Sequence, residues 1–380
     1  MPPITGFISG AGGIPIPTDN FWSWGDNSQG QLGRLGGGYA QVNSDLIIWA
    51  HASNFNSNYI KDDGTLWASG QFDRTIGDGV TINPTVFTQV GVVSNWERIK
   101  GKRNSKLLLN SSGRRYGWGE NSNLELGNGN NIDTTTIALL DAIVWDDAVT
   151  AIRGGCGIRS DGRLMGWGKN NTLYSIGDGA LPGDAVDRSA PVLLNSTSTS
   201  WEKVEQGLDT RLGLKSTGSL YAWGKDVSGS SGLGVPSGTR IASPTLIPGT
   251  WKDMSIGYFS VVAIKADGTL WEWGWTTRTG VSVFYDAPSQ IGTDSDWDTC
   301  YVGENSQSSF HLICGAVKDD GRLFTWGHWN VTAGLARTAV APAVPVGVVE
   351  FGMSNFTFYG GNRMAFGDNH MIIQTKEEIP

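Results

Sequence analysis

Short apolar runs recur along this chain, and turn signals separate them. Leu212-Gly213-Leu214-Lys215-Ser216-Thr217-Gly218 and Val262-Ala263-Ile264-Lys265-Ala266-Asp267-Gly268 are typical. Asp-Gly between two apolar strands is a strong hairpin signal. It appears at Asp63-Gly64, Asp161-Gly162, Asp267-Gly268 and Asp320-Gly321. The strand after each turn has a two-residue code. Its large residues are Trp22 and Trp24, Tyr116 and Trp118, Met165 and Trp167, Tyr221 and Trp223, Trp271 and Trp273, and Phe324 and Trp326. Positions two apart share one face of a strand. Small residues such as Ala68, Gly117, Gly166 and Ala222 stand between them, and Leu66, Leu164, Leu220, Leu270 and Leu323 occupy that second face. Both faces are apolar, which predicts a strand covered on both sides.

The pattern returns about every fifty residues. Its clearest mark is a Trp-Gly pair at Trp24, Trp118, Trp167, Trp223, Trp273 and Trp326, with Ser69-Gly70 where a seventh copy is due. A second column opens an earlier strand at Trp49, Trp96, Trp145, Trp201, Trp251 and Trp297. A fixed period of this length means repeated units that cannot bury their apolar faces alone. A fourth strand follows a polar, Gly-rich turn such as Asp26 to Gly33. Proline is expected to start it, at Pro84, Pro191, Pro244, Pro288 and Pro342, because a residue without an N–H suits an outer edge. Four antiparallel strands in each of seven units predict an all-β, seven-bladed β-propeller. The Trp columns are expected to be core.

Composition agrees and narrows the chemistry. The 380 residues include 54 Gly and 17 Trp, and only 17% are charged. That suits short strands joined by many turns. A net charge of −8 with no Lys/Arg run longer than a pair argues against nucleic acid as a partner. Cys156, Cys300 and Cys314 show neither a disulfide framework nor a zinc spacing. His51, His311, His328 and His370 form no metal-spaced cluster, and no serine sits in a nucleophile-elbow motif. Asp78-Gly79 and Asp178-Gly179 are lone carboxylates in turns, a weak signal for calcium. No catalytic residue, metal or cofactor is expected. Met1-Pro2-Pro3 lacks the start of a secretory signal, and no run approaches a membrane span, so a soluble chain is expected.

The unit Trp-x5-Gly, apolar strand, Asp-Gly-x-Leu-x-x-Trp-Gly-x-Asn-x-x-Gly-Gln-Leu-Gly resembles the repeat of the regulator of chromosome condensation family. Residues 20–33 match its second half, and residues 201–234 match nearly all of it. The resemblance covers residues 20 to about 375 and implies a propeller. It also implies how the ring closes. Gly367 to Thr375 aligns with Gly207 to Lys215, so the last strand is expected to pair with Phe21-Trp22-Ser23-Trp24. Residues 19–380 are then the propeller, and residues 1–18 an extended N-terminal arm. The family's founding member exchanges nucleotide on a small GTPase and docks on chromatin, but the basic tails that chromatin docking uses have no counterpart before Asp19.

Function is sought where the repeats break their own rule. After Trp-Gly most units place polar or short residues, but the last two place Trp275 and His328-Trp329. The last also has a long loop from Gly303 to Phe310. Loops after strands one and three of a blade share a face, so these features are expected to cluster there. Candidate partner contacts are Trp275, Arg278, His328 and Trp329, with Ile4 and Phe7 in the uncharged arm. The expectation is a non-enzymatic interaction propeller, held by its arm to other subunits of a larger assembly. A bacteriophage virion component of the tail or capsid surface is the expected setting, with a cytoplasmic location as the alternative. A glycan- or receptor-binding adhesin is the rival reading, and a nucleotide-exchange scaffold comes last.

Overall fold

The computed structural model describes residues 19–25, 28–33, 38–43, 46–53, 55–72, 76–80, 83–170, 176–180, 186–194, 198–276, 283–304, 312–327, 349–350, 356–358, 364–366 and 370–377. Among these residues every regular element is a β-strand. The chain opens with β1 (Asp19–Gly25) and β2 (Gly38–Asn43). A four-stranded sheet follows, of β3 (Ile47–Ala52), β4 (Asn56–Lys61), β5 (Thr65–Gly70) and β6 (Thr88–Ser94). A seven-stranded sheet holds β7 (Trp96–Lys100), β8 (Ser105–Asn110), β9 (Arg114–Gly119), β10 (Thr134–Ala151), β11 (Gly154–Arg159), β12 (Leu164–Gly168) and β13 (Arg188–Leu193). The next four-stranded sheet is β14 (Trp201–Gln206), β15 (Thr210–Lys215), β16 (Leu220–Lys225) and β17 (Arg240–Ile247). Another is β18 (Trp251–Ile256), β19 (Ser260–Lys265), β20 (Leu270–Thr276) and β21 (Val283–Ile291). A further one is β22 (Trp297–Val302), β23 (Ile313–Lys318), β24 (Leu323–Gly327) and β25 (Val349–Glu350). The chain ends with β26 (Phe356–Phe358), β27 (Met364–Phe366) and β28 (His370–Glu377). β28 pairs with β1 from Asp19↔Lys376 to Gly25↔His370, so the last strand lies beside the first.

The units are up-and-down meanders, and four of them turn between strands two and three at the expected Asp-Gly. Gly64, Gly162, Gly268 and Gly321 take φ of 78°, 76°, 80° and 83°, the left-handed region that favours glycine. β10 departs from the expected break between units. No Gly or Pro lies between Leu140 and Trp145, so one strand serves as outer strand to β9 and inner strand to β11. The prolines also differ from expectation. Pro191, Pro244 and Pro288 lie inside outer strands, where the register shifts, and not at strand starts. A bulge leaves a residue unpaired, so a missing N–H costs nothing there.

Both Trp columns are core. The described rings of the two columns are buried. A buried Trp removes roughly 150–250 Å² from water, worth about 4–6 kcal/mol gross as an upper bound. The first-strand Trp meets the first aromatic of strand three edge-on. Trp201–Tyr221 and Trp297–Phe324 are both 5.1 Å apart. A lysine ending strand two then caps the pair: Lys215 lies 4.6 Å from the Tyr221 ring, and Lys265 lies 3.6 Å from Trp271.

The Trp of Trp-Gly does a different job, joining its unit to the preceding one. A Cβ on Gly127 would meet Trp167 at 2.6 Å, on Gly177 Trp223 at 2.5 Å, and on Gly232 Trp273 at 2.8 Å. Each ring therefore lies flat on a turn glycine of the unit before it. Trp167 Nε1 also donates to the Glu125 carbonyl at 2.8 Å, and Trp273 Nε1 to the Ser230 carbonyl at 3.1 Å. The last glycine of each turn then donates outward, Gly129 N to Ser189 O and Gly234 N to Asp286 O, both at 2.8 Å. These bonds cover part of the next unit's outer edge.

Candidate binding face

Trp275 is the candidate residue that the structure describes. β20 runs past the usual stop at Gly274 because β21 starts early and keeps pairing, with Trp275 opposite Phe284 and Thr276 opposite Val283. The Trp275 ring is half-buried between two others. Phe284 stacks at 5.8 Å with planes 29° apart, and Phe259 lies at 6.1 Å, tilted by 37°. The backbone is pinned, since Trp275 N donates to Phe259 O at 2.9 Å and Ser260 Oγ donates to Trp275 O. Phe284 is 58% exposed and forms the outer layer of this stack. Sequence reading passed over it, because an outer-strand Phe carries no repeat mark. Glu272 beneath the stack is buried and accepts from Thr276 Oγ1 at 2.7 Å.

Arg278, His328, Trp329, Ile4 and Phe7 lie outside the described residues, as does most of the Gly303 to Phe310 loop. The loop's start is described. Gly303 N donates to Ile313 O at 2.8 Å, and Glu304 Oε2 accepts from Arg103 N at 3.3 Å. Among the described residues no group of three metal-ligating side chains occurs. Asp178 is engaged by Arg188 at 3.1 Å and by Asn170 at 3.0 Å. Asp78 accepts from Val80 N at 2.9 Å.

A second constellation was missed. Two residues after each first-strand Trp stand His51, Arg98, Asp147, Lys203, Asp253 and Thr299. From Arg98 to Asp253 the charges alternate; between neighbouring units Lys203 pairs with Asp253, whereas Asp147 takes Lys100, and Arg98 donates to the Asp146 carbonyl. Lys203 Nζ contacts Asp253 Oδ1 at 2.7 Å. Lys100 Nζ contacts Asp147 Oδ2 at 2.8 Å and Glu205 Oε1 at 3.2 Å. The carboxylates also cap backbone donors on the next inner strand: Asp147 Oδ2 accepts from Val204 N at 3.1 Å, and Asp253 Oδ2 accepts from Cys300 N at 3.0 Å. Burial works against charge on Lys100 and Lys203. Their acidic neighbours more than offset it, Asp147 and Glu205 for Lys100 and Asp253 and Glu205 for Lys203, and both pKa values rise.

His51 sits in the same column with cations around it. Burial first, then Lys106, Lys102 and Lys100, hold its pKa well below the ordinary value. The thiols are equally quiet. Burial pushes Cys156 up to about 12, and Cys300 and Cys314 well above their usual value. A thiol held protonated is a poor nucleophile. The ionisable groups of this core therefore serve packing and pairing.

No protein-family model matches the chain. Among curated proteins it is 26% identical over 242 residues to the ultraviolet-B receptor UVR8 of Arabidopsis thaliana, covering 58% of this chain and 50% of the receptor. It is 24% identical over 337 residues to the human E3 ubiquitin-protein ligase HERC2, covering 80% of this chain and 7% of the ligase. The chain thus spans half the length, or less, of these relatives. Among solved structures, Prp20p of Saccharomyces cerevisiae superposes with a TM-score of 0.75 at 14% identity, covering 96% of this chain and 93% of that one. Human WBSCR16 gives 0.73 at 16% identity, covering 95% and 100%. These relatives are a plant receptor, a human ligase and a yeast protein, so the expected virion location and virion role are overturned; a cytoplasmic location stays compatible. By its repeats and its fold, the chain is similar to the β-propellers built from the regulator of chromosome condensation repeat.

Proposed function

We propose that residues 19–380 form a seven-bladed propeller, closed where β28 meets β1, that works as a non-catalytic protein-interaction scaffold. The observation that carries this reading is the Phe259–Trp275–Phe284 stack, which presents an exposed ring on a rigid, doubly pinned strand. Aromatic anchors of this kind dominate protein contacts. Prp20p, similar in fold, is described with its binding to Gsp1p and histones, so partner binding on this scaffold has a precedent. The uncharged arm, residues 1–18, is read as a second contact that joins copies in an assembly.

The test is affinity capture with the parent and a Trp275→Ala/Phe284→Ser variant, followed by direct titration of each purified captured protein. A partner bound at least tenfold more weakly by the variant supports the reading. Equal binding by both would move the contact off this stack. Accelerated nucleotide release from a captured small GTPase would replace the scaffold reading with an exchange factor.

A further inference from the structure

One register position on the outer strands sorts the units into two classes. It is the residue opposite the first aromatic or methionine of strand three. Leu139 stands there opposite Tyr116, Leu193 opposite Met165, and Leu246 opposite Tyr221. Gln41, Gln89, Gln290 and Glu350 hold the same position in the other units. The residue after each leucine is buried, but the leucines themselves are 53%, 48% and 50% exposed. A single exposed leucine is ordinary. The same leucine in three consecutive units, with Gln or Glu elsewhere, sets a row (the stripe) of exposed apolar side chains at one register position, and grouped exposed apolar residues mark contacts.

The stripe ends in a groove of about 770 Å³ beside Leu246, whose walls include Leu233, Val235, Ile241, Pro248, Trp271 and Pro288. Two cations line it, Arg240 and Lys265, and the Lys265 ammonium lies 3.6 Å from the Trp271 ring. Asp141 is paired with Arg115, Arg188 with Asp178, and Arg240 donates to Asn170 Oδ1 at 3.2 Å. Single leucines one unit apart suit a narrow extended chain better than a broad globular surface. Residues 1–17 have the matching chemistry: no charged side chain, with Ile4, Phe7, Ile8, Ile14 and Ile16. Extended, they would reach roughly 55–60 Å. The arm joins the fold at β1, and the β3–β6 sheet stands between that point and the first stripe unit, since β3 touches β28 on one side and β7 on the other. A chain's own arm would spend its length crossing that sheet.

We propose that residues 1–17 of a second copy of this chain lie along the Leu139–Leu193–Leu246 stripe and reach the groove beside Leu246. This rests on reading the arm as an assembly contact. Two variants test it: one lacking residues 1–17, and L139Q/L193Q/L246Q, which copies the residue that other units already tolerate at this position. Sedimentation should show the parent as a multimer and each variant alone at least tenfold weaker in self-association. An equimolar mixture of the two should form a heterodimer, since one brings the arm and the other the stripe. If deletion abolishes assembly but the triple variant assembles like the parent, the arm docks elsewhere: this inference falls and the arm reading stands. If deletion changes nothing, or the parent is monomeric, both fall.

Discussion

The β3–β6 unit and the β18–β21 unit share a fold, and three of the matched positions at which they differ are telling. Ser69 stands where the other has Trp273, His51 where it has Asp253, and Asn58 where it has Val262. The regular unit fills its joint with Trp273, which also donates to the preceding turn. The irregular unit divides those two jobs. Phe87, from just before β6, supplies the ring: a Cβ on Gly33 would meet it at 2.0 Å, as Gly232 would meet Trp273. Phe87 also packs edge-on against Tyr59 at 4.7 Å. Ser69 Oγ supplies the donor, reaching the Gln31 carbonyl at 3.3 Å. The difference shows that the joint takes a ring on the turn glycine, and that the ring and a donor to the turn carbonyl, which Trp273 combines, can come from two residues.

The largest expected effect is Trp273→Ala, which removes ring and donor together. It should cost about 5 kcal/mol of unfolding free energy in denaturant titration. Asp253→Ala strips Lys203 and the Cys300 N–H of their partner and should cost about 3 kcal/mol. Phe87→Ala removes a half-buried ring but leaves the Ser69 bond, and about 2 kcal/mol is expected by the same titration. A cost equal to that of Trp273→Ala would break the division of labour.

His51 gives a smaller effect with a defined sign. Its folded pKa is depressed, so as pH falls below about 6.5 the unfolded chain binds a proton that the folded chain refuses. The stability it provides is full above that value and is lost as pH falls toward the folded pKa. The slope cannot exceed about 1.4 kcal/mol per pH unit. Thermal melts should show a fall of a few degrees between about pH 7 and 5, and His51→Gln should flatten it. The regular unit has no such group at this position.

Much of this was legible before the structure. The two Trp columns, the Asp-Gly hairpins and the last strand's match to the first followed from period and turn chemistry, which are local. The division at Ser69 was not, because Phe87 comes from a different strand and only tertiary packing brings it over Gly33. The alternating charges at Arg98, Asp147, Lys203 and Asp253 were visible as letters. Their meaning depended on which neighbouring strand each side chain reaches. The outer strands hid both Phe284 and the leucine stripe, because bulges shift their register and blur the two-residue period. Proline placement misled for the same reason.

The central claim is that Phe87 and Ser69 together stand in for the missing Trp. A double-mutant cycle at the joint of the β3–β6 unit tests it directly. Ser69→Trp alone should destabilise, since the new ring meets Phe87, and Phe87→Ala alone leaves a cavity. The double variant should recover to within about 1 kcal/mol of the parent, a favourable coupling of at least about 1–2 kcal/mol. Additive losses in the double variant would contradict the claim and leave the Trp-Gly mark without its role as the joint between units.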